Sequence, residues 1–350
     1  MKSSQIEAFC SGLYFALSFL VSIVFFVGCS TSSDAEKQIA RDALRNKGIP
    51  FTVPAFIKTS YQGQSDNVDL FIKGGMEVDS ADDETALLAA VRADKKEIVE
   101  MLLNNGADCN VDSYMGSPLC LAAKNGSYEI SQMLIEHGAK ENYYKYSVSP
   151  LLNAIKYNHP EITELLILSG ADADWADPVT GKTLLMVASE NGNNNIIDLL
   201  LENGADINEK DKSGSDALYY AALNGRKEAV ALLLDKGASM LNKKGLMNRS
   251  VITAFGKNDK EIIKIMLDKG LDVNGDVYEK IPLLLWLVKN KYFDGAKTII
   301  ENGANTETQD TDGQNTLDYA LASTNKEFIE YLKSKKSAID KPTEIKNNNE

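Results

Sequence analysis

Histidine, cysteine and tryptophan are scarce in this chain of 350 residues, with two, four and two of each. The histidines, His137 and His159, fall in separate segments, so no cluster of metal-binding spacing forms around them. The cysteines, Cys10, Cys29, Cys109 and Cys120, are too few and too scattered for a disulfide-stapled scaffold. No nucleophile elbow, paired-cysteine motif or glycine-rich cofactor loop occurs. Cationic charge is also in deficit: 37 Lys and Arg face 50 Asp and Glu, a net charge of −13. An acidic surface repels phosphate backbones, which argues against nucleic acid as a partner. These absences leave no expected catalytic residue, cofactor or metal. Apolar residues make up 44%, enough for a sizeable core.

One long apolar run stands near the start. Met1 to Glu7 is polar, with Lys2 its one cation. Ala8 to Val27 reads AFCSGLYFALSFLVSIVFFV, and Gly28-Cys29-Ser30 leads directly into polar STSSDAEKQ. A charged start, an apolar middle and a small residue before a cut are the layout of an export signal. The segment FVGC resembles a bacterial lipobox, with Phe26 standing where leucine is usual. That resemblance implies a diacylglycerol on the Cys29 thiol and removal of residues 1–28, Cys10 included. The run of about 20 residues is also long enough to cross a bilayer, so an uncleaved anchor is the competing reading. In both cases the remainder is exported. Ser30 after the cysteine is compatible, in lipoproteins of this kind, with the outer membrane facing the periplasm. An inner-membrane anchor with a periplasmic domain is the alternative.

The body of the chain repeats. Gly75, Gly106, Gly138, Gly170, Gly204, Gly237, Gly270 and Gly303 are separated by 31, 32, 32, 34, 33, 33 and 33 residues. Between them recur segments such as SPLCLAAKNGSYEISQMLIEHGA (117–139) and DALYYAALNGRKEAVALLLDKGA (216–238). Ser117 and Thr183 suit helix N-caps, and Pro118 and Pro150 suit the first helical turn. Ala122 and Ala123 keep the first helix thin. Ile98, Val99, Leu102 and Leu103 form an apolar stripe on the second. The glycine that follows suits a left-handed helix end. This period and chemistry resemble the ankyrin repeat. The resemblance implies an all-α solenoid of about nine helix-turn-helix units with β-hairpin fingers.

The expected plan is a signal at 1–28, a lipid-anchored tether at 29–34, a capping helix at 35–50, the array at 51–339 and a disordered tail at 340–350. The family's TPLH histidine is absent, with Leu88, Cys120, Leu152, Met186 and Tyr219 in its place. The repeat NRSVITAFGKNDKEIIKIMLDKG lacks the turn glycine. IPLLLWLVKNKYFDGAKTIIENG is read as carrying an extra residue between its helices.

Residues 176–183, ADPVTGKT, satisfy a loose phosphate-loop pattern. No apolar strand precedes them, and Pro178 removes one N–H. Thr183 is in phase with the caps Thr85, Ser117 and Ser149, so the stretch reads as a finger loop. Cys109 and Cys120 read either as a disulfide formed after export or as two separate buried thiols.

Aromatics gather in three consecutive fingers: Tyr114, then Tyr143, Tyr144 and Tyr146, then Trp175. Such side chains dominate interface energies. They are read as a partner-binding hot spot, against the alternative that they fold back to cover gaps between fingers. The acidic surface would help steer a basic protein partner. The resemblance to ankyrin proteins implies a non-catalytic protein-binding module, here at the bacterial envelope. An inhibitor or immunity-type protein that occludes a toxin or hydrolase is the alternative.

Overall fold

The computed structural model describes residues 33–143, 148–242, 244–277 and 281–339. Cys29, the apolar run before it, Tyr144, Tyr146 and the expected tail lie outside them. The chain divides into two compact bodies, one ending at Ala171 and the other beginning at Asp172.

In the first body, helix α1 (33–46) precedes four helix pairs. These are α2 (Val53–Gln62) with α3 (Ser65–Lys73), α4 (Ala86–Arg92) with α5 (Lys96–Asn104), α6 (Pro118–Asn125) with α7 (Tyr128–Glu136), and α8 (Pro150–Lys156) with α9 (Pro160–Leu168). The second body holds α10 (Leu184–Asn191) with α11 (Asn194–Glu202), α12 (Ala217–Leu223) with α13 (Lys227–Asp235), and α14 (Arg249–Gly256) with α15 (Lys260–Asp268). The strands β1 (Asp276–Val277) and β2 (Ile281–Pro282) follow, then α16 (Leu283–Lys289) with α17 (Phe293–Glu301) and α18 (Thr316–Ser323) with α19 (Lys326–Ile339).

The caps fall where the sequence places them. Thr85, Ser117, Ser149 and Thr183 each accept the backbone N–H three residues on, at 3.0–3.3 Å. Each such cap is worth about 1 kcal/mol. The capping helix α1 starts at 33 and stops at 46, short of the expected 50. Gly48 turns left-handed there, at φ +72°, and Pro50 follows. Arg41 of α1 stacks 4.6 Å from the Phe51 ring and donates to the Gly74 carbonyl at 2.8 Å, closing that end.

Every helix pair turns on one left-handed residue. These are Gly63, Asp94, Gly126, Asn158, Gly192, Gly225, Asn258, Lys291 and Thr324, with φ between +54° and +81°. Five of these nine turns lack glycine, and the one noted in the sequence for that lack uses Asn258, a residue that tolerates this conformation. The extra residue expected between α16 and α17 is not there. Asn290–Tyr292 connects them just as Lys257–Asp259 connects α14 and α15, with Lys291 left-handed.

Neighbouring units are tied by two sets of bonds. At the turns, a side chain reaches back over the preceding unit. The His159 ring would lie 2.6 Å from a Cβ at Gly126, and Arg226 Nε donates to the Glu190 carbonyl at 3.0 Å. At the finger bases, Asn110 donates to the Gly138 carbonyl at 3.0 Å and accepts the Lys140 N–H at 2.8 Å. Asp79, Asp174, Asn208 and Asn274 accept equivalent N–H groups, of Asp108, Asp206, Ser239 and Asn305. Leu241 stands in this position after Gly237 and has no acceptor to offer.

The finger ladders are short. Among the described residues only β1 and β2 form a two-residue antiparallel ladder. Single bridges join Ala81 to Thr85, Ala176 to Thr183 and Leu241 to Met247. Cys109 and Cys120 are free and buried. Cys109 Sγ donates to the His137 carbonyl at 3.2 Å. Burial pushes both thiols above their ordinary value, which keeps them protonated and unreactive.

A buried carboxylate organises the finger before α12. Asp211 Oδ1 accepts the N–H groups of Ser213 and Ser215, each at 2.9 Å, and Oδ2 accepts the Tyr220 hydroxyl at 2.8 Å. Burial pushes this carboxyl up, but the hydrogen bonds from Ser215, Ser213 and Tyr220 outweigh it and hold it below its ordinary value. Asp310 and Tyr319 repeat the pairing in the last unit. The Tyr319 hydroxyl is pushed up to about 12, first by that bond.

Two predictions follow from these local structures. Thr324 is β-branched and left-handed, which costs it roughly 1–2 kcal/mol. Thr324→Gly should raise the opening free energy of α18 and α19 by about 0.5–1 kcal/mol, after glycine's own entropy cost. Amide hydrogen exchange reads this directly, and unchanged protection would show that the turn is unstrained. Tyr220→Phe removes one of the bonds that lower the Asp211 carboxyl, so its pKa should rise. A carboxylate held low contributes stability above its unfolded pKa and loses it as pH falls through the folded value. The variant should therefore lose about 1 kcal/mol at neutral pH, and the loss should vanish once Asp211 is protonated. Denaturant melts across pH 2–7 would check the sign.

Candidate partner-binding surface

The finger between Val111 and Gly116 is a tight turn. Ser113 Oγ accepts the Met115 N–H at 3.2 Å and donates to the Gly116 carbonyl at 2.7 Å. Gly116 is left-handed at φ +98°, and a Cβ there would stand 2.9 Å from Cys120 Cβ. The turn is therefore pinned against α6, and it holds Tyr114 outward with 83% of its surface exposed.

Tyr143 behaves differently. It is half-buried, and its hydroxyl donates to Asp112 on the preceding finger. It thus joins two fingers, as the covering role would require, and sets its finger beside that of Tyr114. Trp175 is half-buried and opens the second body, where its carbonyl accepts the Leu184 N–H at 3.3 Å. Tyr144 and Tyr146, the remaining hot-spot candidates, are the two outside the described residues.

The loop that mimics a phosphate site is filled by its own chemistry. Asp177 Oδ1 accepts the N–H groups of Val179 and Thr180 at 3.0 and 2.7 Å. The Gly181 N–H bonds to the Asp177 carbonyl at 2.7 Å, and the Lys182 N–H to Thr180 Oγ1 at 3.2 Å. Two of the loop amides are spent on the Asp177 carboxylate and two on other oxygens of the loop itself, so none of these four is left for a phosphate. Lys182 Nζ is paired with Glu190 at 2.5 Å and lies 4.1 Å from the Tyr220 ring centroid. Thr183 is the cap of α10. Among the described residues no group of three His, Cys, Asp or Glu side chains is placed to hold a metal.

A different set of residues lines the last turns of the first helices. Arg92 ends α4, and Lys124 and Lys156 hold the same position, seven residues past the cap, in α6 and α8. The Arg92 guanidinium lies 4.8 Å from the ring centroid of Tyr61, at the end of α2. Lys124 Nζ and Lys156 Nζ lie 5.6 and 6.0 Å from the ring centroid of Tyr157, just past α8. Asn125 Nδ2 donates to the Val91 carbonyl at 3.2 Å, joining the ends of α6 and α4. These bonds and stacks bring the five residues into one row. Tyr61 and Tyr157 stay 46% and 44% exposed, so the row faces solvent.

Sequence reasoning missed this row because each member alone is an ordinary surface residue. The signal was present as a recurrence of cations at 92, 124 and 156, visible only once helix phase is known. Arg92 also pairs with Glu84.

Comparison with known proteins bears on the whole array. No curated protein matches the sequence. The family described as ankyrin repeats (3 copies) matches residues 56–145 and 151–244, together more than half of the chain. Those stretches run through both bodies and contain the turn residues from Gly63 to Gly225 and the caps Thr85, Ser117 and Thr183, and with more than half of the chain matched it belongs to the ankyrin-repeat family.

Proposed function

We propose that the chain is a lipid-anchored scaffold of the bacterial envelope that binds a protein partner and catalyses no reaction. Ankyrin repeats support the binding role in its general form. The observation that carries it to particular residues is Tyr114, 83% exposed on a turn that Ser113 closes by hydrogen bonds to Met115 and Gly116. An exposed aromatic on a rigid support is the kind of group that anchors an interface. Tyr143, Tyr144 and Tyr146 are proposed to extend the contact, and Trp175, in the second body, is a separate candidate. A net charge of −13 favours a partner that is basic overall. The same protruding finger would suit an inhibitor that plugs the cleft of a toxin or hydrolase, which is the second reading.

The anchor rests on the FVGC motif alone. With α1 starting at 33, four residue steps separate it from Cys29 and reach at most about 15 Å. A lipid on Cys29 would hold the array against the membrane that carries it, either outer or inner, on the periplasmic side.

Two experiments test these parts separately. Cys29→Ser should abolish incorporation of labelled fatty acid and leave the precursor uncut, as read by mass spectrometry. A variant that matures normally would replace the lipobox with an ordinary signal or an anchor. Affinity capture from envelope extract should identify the partner. Tyr114→Ala should then weaken that partner's binding by about tenfold or more, while Asp312→Ala in the last finger leaves it unchanged. The reverse pattern would move the contact to the later fingers and sink the hot-spot assignment.

A further inference from the structure

We infer, resting on the protein-binding reading above, that the groove between α7 and α9 docks a basic amphipathic segment of the protein partner. An apolar side chain of that segment sits on Leu168, and a lysine or arginine beside it pairs with Glu161 and Glu164. The contact lies on the second helices and uses no finger residue.

Helix α9 is too apolar for its place. It reads PEITELLIL, with apolar residues on every side. A helix of that kind is ordinarily buried all round. Here Ile162 and Leu166 are buried, Leu165 is half-buried and Leu168 is 78% exposed. Leu168 is the ninth residue of its helix. In the eight other second helices the ninth residue is polar, and in six of them it is charged, as with Glu136 of α7 and Glu202 of α11. An exposed leucine at this position is therefore particular to α9 and is no requirement of the fold.

The leucine belongs to a groove. Tyr128 lines one side and Glu161, Glu164, Leu165 and Leu168 the other, all within the first body. Its volume is about 510 Å³, the scale of a ligand cleft rather than of a packing defect. Tyr128 is 40% exposed and adds a ring to the apolar surface. The closed end of the groove is set in advance. The His159 ring lies against Gly126, where a Cβ would come within 2.6 Å of it, and bonds the Lys124 carbonyl at 3.2 Å.

Charge names the ligand class. In two other places the first residue of one second helix is a lysine that pairs with the second residue of the next, a glutamate: Lys96 with Glu129, and Lys227 with Glu261. Glu161 is the equivalent glutamate of α9, but the first residue of α7 is Tyr128. The lysine that would meet Glu161 is replaced by a ring. Among the described residues neither Glu161 nor Glu164 has an ion pair, and no lysine or arginine lines the groove. A cation brought by a partner fills the place that Lys96 and Lys227 fill elsewhere, and the exposed leucine and ring receive its apolar neighbour. The same two carboxylates repel an acidic segment.

The test uses the full chain and a labelled helical peptide with leucine and lysine side by side on one face. A control of equal composition scatters both residues around the helix. The patterned peptide should bind at least about fivefold more tightly than the control. Leu168→Glu installs a residue that other units carry at this position, so the fold tolerates it, and it should weaken the patterned peptide about tenfold or more. That variant also adds negative charge, so unchanged or tighter binding would show attraction to the acidic surface at large and overturn the site. Tyr128→Lys supplies the missing lysine from within and should weaken the peptide about fivefold or more, while Leu321→Glu on α18 leaves it bound. Equal binding of the two peptides, or no effect of Tyr128→Lys, would likewise overturn the assignment. A dimer of the unaltered chain that Leu168→Glu dissociates would give the groove to a second copy. Protection of α9 from hydrogen exchange that disappears when residues 1–28 are removed would give it to the chain's own apolar run. The partner captured from envelope extract should bind Leu168→Glu at least about fivefold more weakly. A partner held equally by that variant overturns the groove alone, whereas failure of the unaltered chain to capture any protein overturns the binding role itself.

Discussion

No helix pair in this protein can bury its own apolar face. Helix α5 shows the constraint: Ile98, Val99, Leu102 and Leu103 are all buried, and a pair of helices of seven and nine residues cannot cover them alone. The cover comes from the units on either side. Stability in each body is therefore a property of spacing, and the spacing is set by polar bonds as much as by apolar contact. The Asn110 amide gives to one unit's carbonyl and takes from its N–H, which fixes the finger bases. His159 against Gly126 and Arg226 against Gly192 fix the turns. The bonds act at both ends of the helix pair, so neighbouring units cannot slide or rotate freely past one another.

A locked spacing turns position within a unit into position along a row. Substitution at one unit then adds or removes one tooth of a continuous surface. The cations on α4, α6 and α8 and the aromatic rings beneath them form such a row. The same geometry places Tyr220 and Tyr319 over the carboxylates of Asp211 and Asp310 in the second body, where the family histidine is missing. There a tyrosine hydroxyl bonds the finger from the helix that follows it.

Much of this was legible before the structure, because the glycine period and the Ser, Thr and Pro caps are local requirements. A helix start needs an acceptor, and few residues supply one. The turns at Asn258, Lys291 and Thr324 were harder to read. Closing a helix pair demands a left-handed residue wherever the pair occurs, but sequence shows the demand only where glycine meets it. Lys291 was thus read as part of an insertion when it fills the turn position. The fingers were read as hairpins from family resemblance, and among the described residues one closes on a two-residue ladder and three on a single bridge. The surface residues divided the same way. Loop aromatics such as Tyr114 stand out in a sequence, whereas the pairing of Tyr143 with Asp112 depends on two fingers being adjacent. The cation row depends on helix phase and unit spacing together.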